Sequence, residues 1–121
     1  MIGIDIEQID SIREKAESET FLNSVFTKSE LEYYALRGKR AETLAGIFCA
    51  KEAVAKALGT GFAGVRPIDI EIAHDDAGAP YINLNEKLVS LLKGRRIEIS
   101  ISHCKEYATA ACIIYDGALG L

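Results

Sequence analysis

Lys51, Glu52 and Lys56 fall within one short stretch, Phe48-Cys49-Ala50-Lys51-Glu52-Ala53-Val54-Ala55-Lys56-Ala57-Leu58-Gly59-Thr60-Gly61. The rest of that stretch is alanine-rich and apolar, so it reads as a buried helix that runs into a glycine loop. Charge on a buried helix is costly unless it is paired or bound to something. Glu52 and Lys56 are four residues apart and share one helix face. Two readings of that face stay open. It holds an ion pair within the helix, or it holds a carboxylate and an ammonium for a metal-bound phosphate, with loop amides at Gly59 and Gly61 as further donors. Lys51 lies on a different face and has no part in that chemistry.

Asp5 is the best partner for Glu52. Ile2, Ile4 and Ile6 alternate with Gly3, Asp5 and Glu7, which predicts a half-buried strand with Asp5 on its second face. Asp is depleted in strands, so Asp5 is out of place there on propensity alone. Mg²⁺ takes one or two protein carboxylates, keeps water and lets substrate phosphates fill its remaining positions. Asp5 and Glu52 therefore suffice for a metal–pyrophosphate site but not for a closed calcium cage. His103 ends a predicted strand. It either bonds the backbone there or serves as a phosphate donor or metal neighbour at the sheet rim. His74 reads as a surface residue of a hairpin.

The loop Gly59–Gly64 matches neither common phosphate-loop pattern: it follows a helix and lacks a Gly-Lys-Ser/Thr ending. A phosphate there would meet the negative end of the helix dipole, so binding would rest on Lys56, a metal and loop amides. Arg37-Gly38-Lys39-Arg40 and Lys93-Gly94-Arg95-Arg96 are the densest basic runs. Both follow predicted helices, where cations suit the dipole and lie in solvent.

The elements that must hold these residues follow from periodicity and turn chemistry. After the first strand, Asp10 or Ser11 caps a helix to about Ser18, and Phe21 to Phe26 form a short apolar helical patch. Thr27 and Glu30 make a capping box for a helix that stops at Gly38. The central helix runs from about Ala41 to Leu58. Gly46 inside it predicts close packing against another backbone. Pro67–Ile72 and Tyr81–Asn83 read as a hairpin, Asn85–Leu92 as a helix, and Ile97–Ser102 and Tyr107–Tyr115 as further strands. The pattern is α+β: a single domain over residues 1–121, with a mostly antiparallel sheet packed against a long central helix.

Composition narrows the function classes. With 14 Lys and Arg against 18 Asp and Glu, the net charge of −4 gives no support for general nucleic-acid binding. No apolar run suits a membrane span, and the opening Met1–Asp5 lacks the regions of a signal peptide. Cys49, Cys104 and Cys112 form no close pair, which predicts a reducing cytoplasmic setting and three thiols packed in the core.

Three separated pieces together resemble the small bacterial-type holo-acyl-carrier-protein synthases, which are phosphopantetheinyl transferases. They are Gly3-Ile4-Asp5-Ile6, the Phe48–Gly61 stretch, and Ile99-Ser100-Ile101-Ser102-His103-Cys104-Lys105-Glu106-Tyr107-Ala108. The resemblance implies a homotrimer with active sites between chains. It implies transfer of the 4′-phosphopantetheine arm of coenzyme A to a serine of an acyl carrier protein, with release of adenosine 3′,5′-bisphosphate, in fatty acid biosynthesis. It implies Asp5 and Glu52 as ligands of Mg²⁺ or Mn²⁺, and Asp5, Glu52 and Lys56 as the catalytic set. Lys56 and His103 would contact coenzyme A, and Lys39 and Arg40 would meet its 3′-phosphate. Ser11 and Ser24 stand where the family often has basic residues for the carrier, and Ile47 where it often has an arginine near the coenzyme. A metal-dependent coenzyme A or nucleotide pyrophosphatase and a non-catalytic trimeric binding module are the alternatives.

Overall fold

The computed structural model describes residues 1–59 and 64–117. Gly61, Thr60 and the rest of the loop centre lie outside the described residues. Among the described residues, five strands and five α-helices follow in order: β1 (Ile2–Gln8), α1 (Ile9–Lys15), α2 (Glu19–Val25), α3 (Lys28–Leu36), α4 (Ala41–Ala57), β2 (Glu71–His74), β3 (Pro80–Asn83), α5 (Glu86–Leu92), β4 (Arg96–His103) and β5 (Tyr107–Tyr115). β1, β5 and β4 form an antiparallel sheet with β5 in the middle, and β2 and β3 form a separate hairpin.

Small residues decide how α4 meets the sheet. Ala45, Cys49, Ala50, Ala53 and Ala57 on the helix and Ala108, Ala110 and Cys112 on β5 are all buried. With so little side chain between them, helix and sheet backbones come close. At Gly3 of β1 the approach is closest: a Cβ there would lie 1.9 Å from the Ala53 carbonyl oxygen. This reverses the expected facing of β1. Gly3 and Asp5 turn inward to α4, while Ile2, Ile4 and Ile6 point out at 73%, 64% and 63% exposure. Hydrophobicity alone would bury the isoleucines, but the space beneath α4 admits only glycine at position 3.

Local signals behave largely as their chemistry dictates. Thr27 Oγ1 accepts from Glu30 N at 3.2 Å, and Glu30 Oε1 accepts from Thr27 N at 2.8 Å, the reciprocal bonds of a capping box. Gly38 stops α3 at φ +80°, and Lys39 follows at +54°. Asn85 caps α5 by accepting from Leu88 N. α1 begins at Ile9 behind Gln8 with no side-chain cap, two or three residues earlier than a cap at Asp10 or Ser11 would set it. Pro67–Asp69 forms a 3₁₀ turn rather than strand, and β2 begins only at Glu71. The reason lies in the carbonyls of Pro67 and Ile70, which accept from the Lys51 ammonium and not from a neighbouring strand. Cys49 and Cys112 are buried as expected, whereas Cys104 is exposed in the β4–β5 turn.

Candidate active site

β1 carries Asp5 under α4, where its side chain is 9% exposed. Lys56, from the last turn of α4, donates to Asp5 Oδ1 at 3.3 Å and to the Ile4 carbonyl at 3.0 Å. Lys56 thus reaches across to β1 rather than back along its own helix, and among the described residues no ion pair joins it to Glu52. The other Asp5 oxygen, Oδ2, is buried with no hydrogen-bond partner. A carboxylate oxygen removed from water and left without a donor marks a place prepared for a positive group.

Glu52 and Glu7 face the same place. Burial and then the Asp5 charge raise the Glu52 carboxyl above its ordinary pKa. Burial, followed by the neighbouring charges of Asp5 and Glu52, pushes Glu7 up to about 7. Sequence reasoning missed Glu7. The signal was its two-residue spacing from Asp5, which puts both carboxylates on one strand face. Negative charge converges here, opposed by Lys56 and, more weakly, Lys15. Cys49 lies behind it. Its thiol donates to the Ala108 carbonyl and is pushed up to about 12 by burial and the nearby carboxylates, so it stays protonated and inert.

Among the described residues no three His, Cys, Asp or Glu side chains are set to enclose a metal by themselves. An unpartnered Asp5 oxygen beside Glu52 does fit a hard cation that takes one or two carboxylates and keeps open positions.

A cavity of about 190 Å³ opens beside the first half of α4, lined among others by Tyr33, Arg37, Thr43, Ile47, His74 and His103. Tyr33 stacks flat on His74, with ring centres 3.9 Å apart. The Arg37 guanidinium sits over the Tyr33 ring, 5.6 Å from its centre. His74 is therefore not a free hairpin residue: its Nδ1 is buried without a partner, and burial and Arg37 lower its pKa. His103 reaches the cavity from the end of β4. Lys39 and Arg40 are exposed on the turn before α4 and do not line it; Arg40 leans towards Glu42 at 3.8 Å. Arg37, the residue of that basic run read as solvated, is the one that enters. Gly59 ends α4 at φ +78°. The cavity lies on the β4 side of the sheet and the carboxylates on the β1 side, with β5 between them.

Residues 1–112 match the 4′-phosphopantetheinyl transferase superfamily, and the chain belongs to that family. Among its relatives, the holo-[acyl-carrier-protein] synthase of Fusobacterium nucleatum is 48% identical over 117 residues, covering 93% of this chain and 96% of that protein. The enzyme of the same name from Clostridium botulinum strain Alaska E43 is 47% identical over 116 residues, covering 93% and 94%. Among solved structures, the Helicobacter pylori holo-[acyl-carrier-protein] synthase in complex with coenzyme A aligns with a TM-score of 0.84 at 32% identity, over 94% of this chain and 99% of that one. The Neisseria meningitidis synthase aligns with a TM-score of 0.85 at 32% identity, over 95% and 97%.

The acidic group has a consequence for stability. Glu7 is harder to ionise in the folded chain, at about 7, than at its ordinary 4.5. Its contribution to stability is therefore complete below about pH 4.5 and is lost as pH rises through about 7. A shift of that size would be worth about 3 kcal/mol in a sealed site, and about 1 kcal/mol after screening at this part-exposed one. Without added metal, urea unfolding is expected to show stability falling from pH 5 to pH 8, and Glu7→Gln is expected to flatten the fall. Parallel pH profiles for the two proteins would contradict this account of Glu7.

Proposed function

We propose that this chain is a holo-acyl-carrier-protein synthase. It moves the 4′-phosphopantetheine arm of coenzyme A to a serine hydroxyl of an apo acyl carrier protein and releases adenosine 3′,5′-bisphosphate. The observation that carries the reading is the buried, unpartnered Asp5 oxygen beside Glu52, with Lys56 in reach, in a chain of this family. Asp5 and Glu52 would hold Mg²⁺, or Mn²⁺, which when bound supplies positive charge for the pyrophosphate.

Lys56 is the mobile part of the set. Its side chain is 54% exposed, so its ammonium can swing from Asp5 to a phosphate oxygen. The serine hydroxyl attacks the phosphorus next to the pantetheine arm and gives up its proton to Glu52 or to a water at the site. The P–O bond to the bisphosphate breaks, and Lys56 offsets the charge that appears on the leaving group. Positioning and charge supply most of the rate gain, as in other phosphoryl transfers. The nucleotide end of coenzyme A suits the cavity, where Tyr33 and His74 offer flat surfaces and Arg37 and His103 suit phosphate. Arg37 takes the place in this reading that Lys39 and Arg40 held from sequence, and Ile47 adds an apolar wall. The Gly59 amide, expected from sequence as a phosphate donor, is instead taken by the Lys56 carbonyl at 3.0 Å as part of the helix end.

A homotrimer with shared sites fits two features. The carboxylates and the basic cavity lie on opposite edges of one sheet, so a neighbouring chain can bring one to the other. The outward isoleucines of β1 and Ile113 of β5 form an exposed apolar face suited to a second copy. The whole chain would act as one domain. Its free cysteines suit the cytoplasm, and no helix among the described residues is long and apolar enough to cross a membrane.

The deciding experiment incubates the chain with coenzyme A, Mg²⁺ and apo acyl carrier protein, and weighs the carrier. A gain of one phosphopantetheine is expected. Bisphosphate release without carrier modification would point to a pyrophosphatase, and no release at all to a binding module.

A further inference from the structure

Lys51 is fully buried, with 0% of its side chain exposed, and the acidic site does not use it. Its ammonium donates to Glu30 Oε1 at 2.8 Å, the Pro67 carbonyl at 2.8 Å and the Ile70 carbonyl at 2.5 Å. Three N–H bonds thus meet three acceptors, two of them carbonyls that cannot donate in return. Glu30 is also fully buried, and besides Lys51 it accepts from Thr27 N and from Ile72 N. Every partner of Lys51 is an acceptor and every partner of Glu30 is a donor. That pattern satisfies every polar atom of the ionised pair, although burial pushes the lysine pKa down and the glutamate pKa up.

The network ties α4 to the start of α3, the 3₁₀ turn and β2 at one point. A buried ion pair is weak evidence for stability, because desolvation offsets most of its attraction. What it supplies is direction, since an ammonium with three fixed acceptors holds its place in all three dimensions. Lys51 and Glu52 are consecutive, so they project about 100° apart around α4, while Glu52 and Lys56 are within about 40° of each other. Fixing the azimuth of Lys51 fixes that of the next residue. On the opposite side α4 rests against Gly3, two residues before Asp5. Glu52 is set relative to Asp5 by these two constraints.

We infer that Lys51 is a positioning residue: through its buried pair with Glu30 it fixes the rotation of α4 that brings Glu52 to Asp5, and so sets the affinity of that carboxylate pair for a divalent cation. The inference rests on the metal site proposed above. It is tested by calorimetric titration of the protein with Mn²⁺ alone, well below each variant's melting temperature. The unaltered chain is expected to bind Mn²⁺, and Asp5→Asn to abolish binding. Lys51→Met is expected to weaken binding about tenfold. Leu92→Ala, a core truncation on α5 outside the network, is expected to lower the melting temperature yet leave Mn²⁺ affinity within about twofold. If Lys51→Met does not fold, Glu30→Gln with Lys51→Met leaves no unpaired buried charge and is expected to show the same weakening. Unchanged affinity in the folded Lys51 variant, or equal weakening in Leu92→Ala, would overturn the positioning role while leaving the metal site intact. Absence of Mn²⁺ binding by the unaltered chain would overturn the site itself and the inference with it.

Discussion

Glu52→Gln is expected to cut phosphopantetheine transfer by at least about 100-fold and, in the same protein without metal, to raise the melting temperature. The two effects have one cause. A charged group aimed at a transition state is worth about 3–4 kcal/mol in a site shielded from water. An amide keeps the size of the carboxylate and loses its charge, so the cation that would serve the pyrophosphate loses one of two ligands. In the metal-free protein the same charge is a burden. Glu52 is raised above its ordinary pKa by burial and by Asp5, so folding disfavours its ionised form. That cost is present above its folded pKa and absent below about 4.5, where the carboxyl is protonated folded and unfolded alike. The stability gain of Glu52→Gln should therefore be seen at pH 8 and vanish near pH 4. Added Mg²⁺ should stabilise the unaltered chain and not the variant. Carrier mass gain and thermal melts with and without Mg²⁺ read both effects. Full transferase activity in Glu52→Gln would sink its assignment as a ligand.

What the sequence made legible depended on how local each cause was. The capping box at Thr27 and Glu30, the stop at Gly38 and the cap at Asn85 are written within a few residues, and each stands where its chemistry puts it. Asp5, Glu52 and Lys56 were also within reach, because a carboxylate on a strand and charges on an apolar helix are each out of place. Their arrangement was not. Lys56 reaches Asp5 and not Glu52 because the closeness of β1 to α4 offers a better acceptor than the next turn of the helix. That closeness depends on Gly3 lying opposite Ala53, and pairings of residues so far apart leave no trace in local periodicity. The same holds for Pro67–Ile72. It carries a strand pattern, but its carbonyls are claimed by an ammonium 16 and 19 residues earlier in the chain. Arg37 was read as solvated from its helix-end position, and it enters the cavity because Tyr33, one turn earlier, offers it a ring face.

Gly3→Ala is expected to cost more stability than any other single methyl added to this chain, about 3 kcal/mol or more. A Cβ at position 3 would lie 1.9 Å from the Ala53 carbonyl oxygen and 2.7 Å from Ala57 N. Those atoms are four residues apart on α4, the acceptor and donor of a helical hydrogen bond. The methyl would strike that bond, and neither atom can move without unwinding the helix. Overpacking between side chains costs about 1–3 kcal/mol because side chains adjust, and a contact with backbone lies beyond that range. Gly46 offers the contrast. A Cβ there meets only the Ile101 Cγ2 methyl at 2.9 Å, a side-chain atom rather than backbone, so Gly46→Ala should cost less. Trimming Ala53 to Gly should not rescue Gly3→Ala, because the clash is with its carbonyl and not its methyl. β1 can relieve the overlap only by retreating from α4, and it would carry Asp5 away from Lys56 and Glu52. Any folded Gly3→Ala protein should thus lose Mn²⁺ binding along with stability. Urea unfolding and Mn²⁺ titration measure the two losses. A variant within about 1 kcal/mol of the unaltered chain would show that β1 and α4 are not in the close contact on which the site depends.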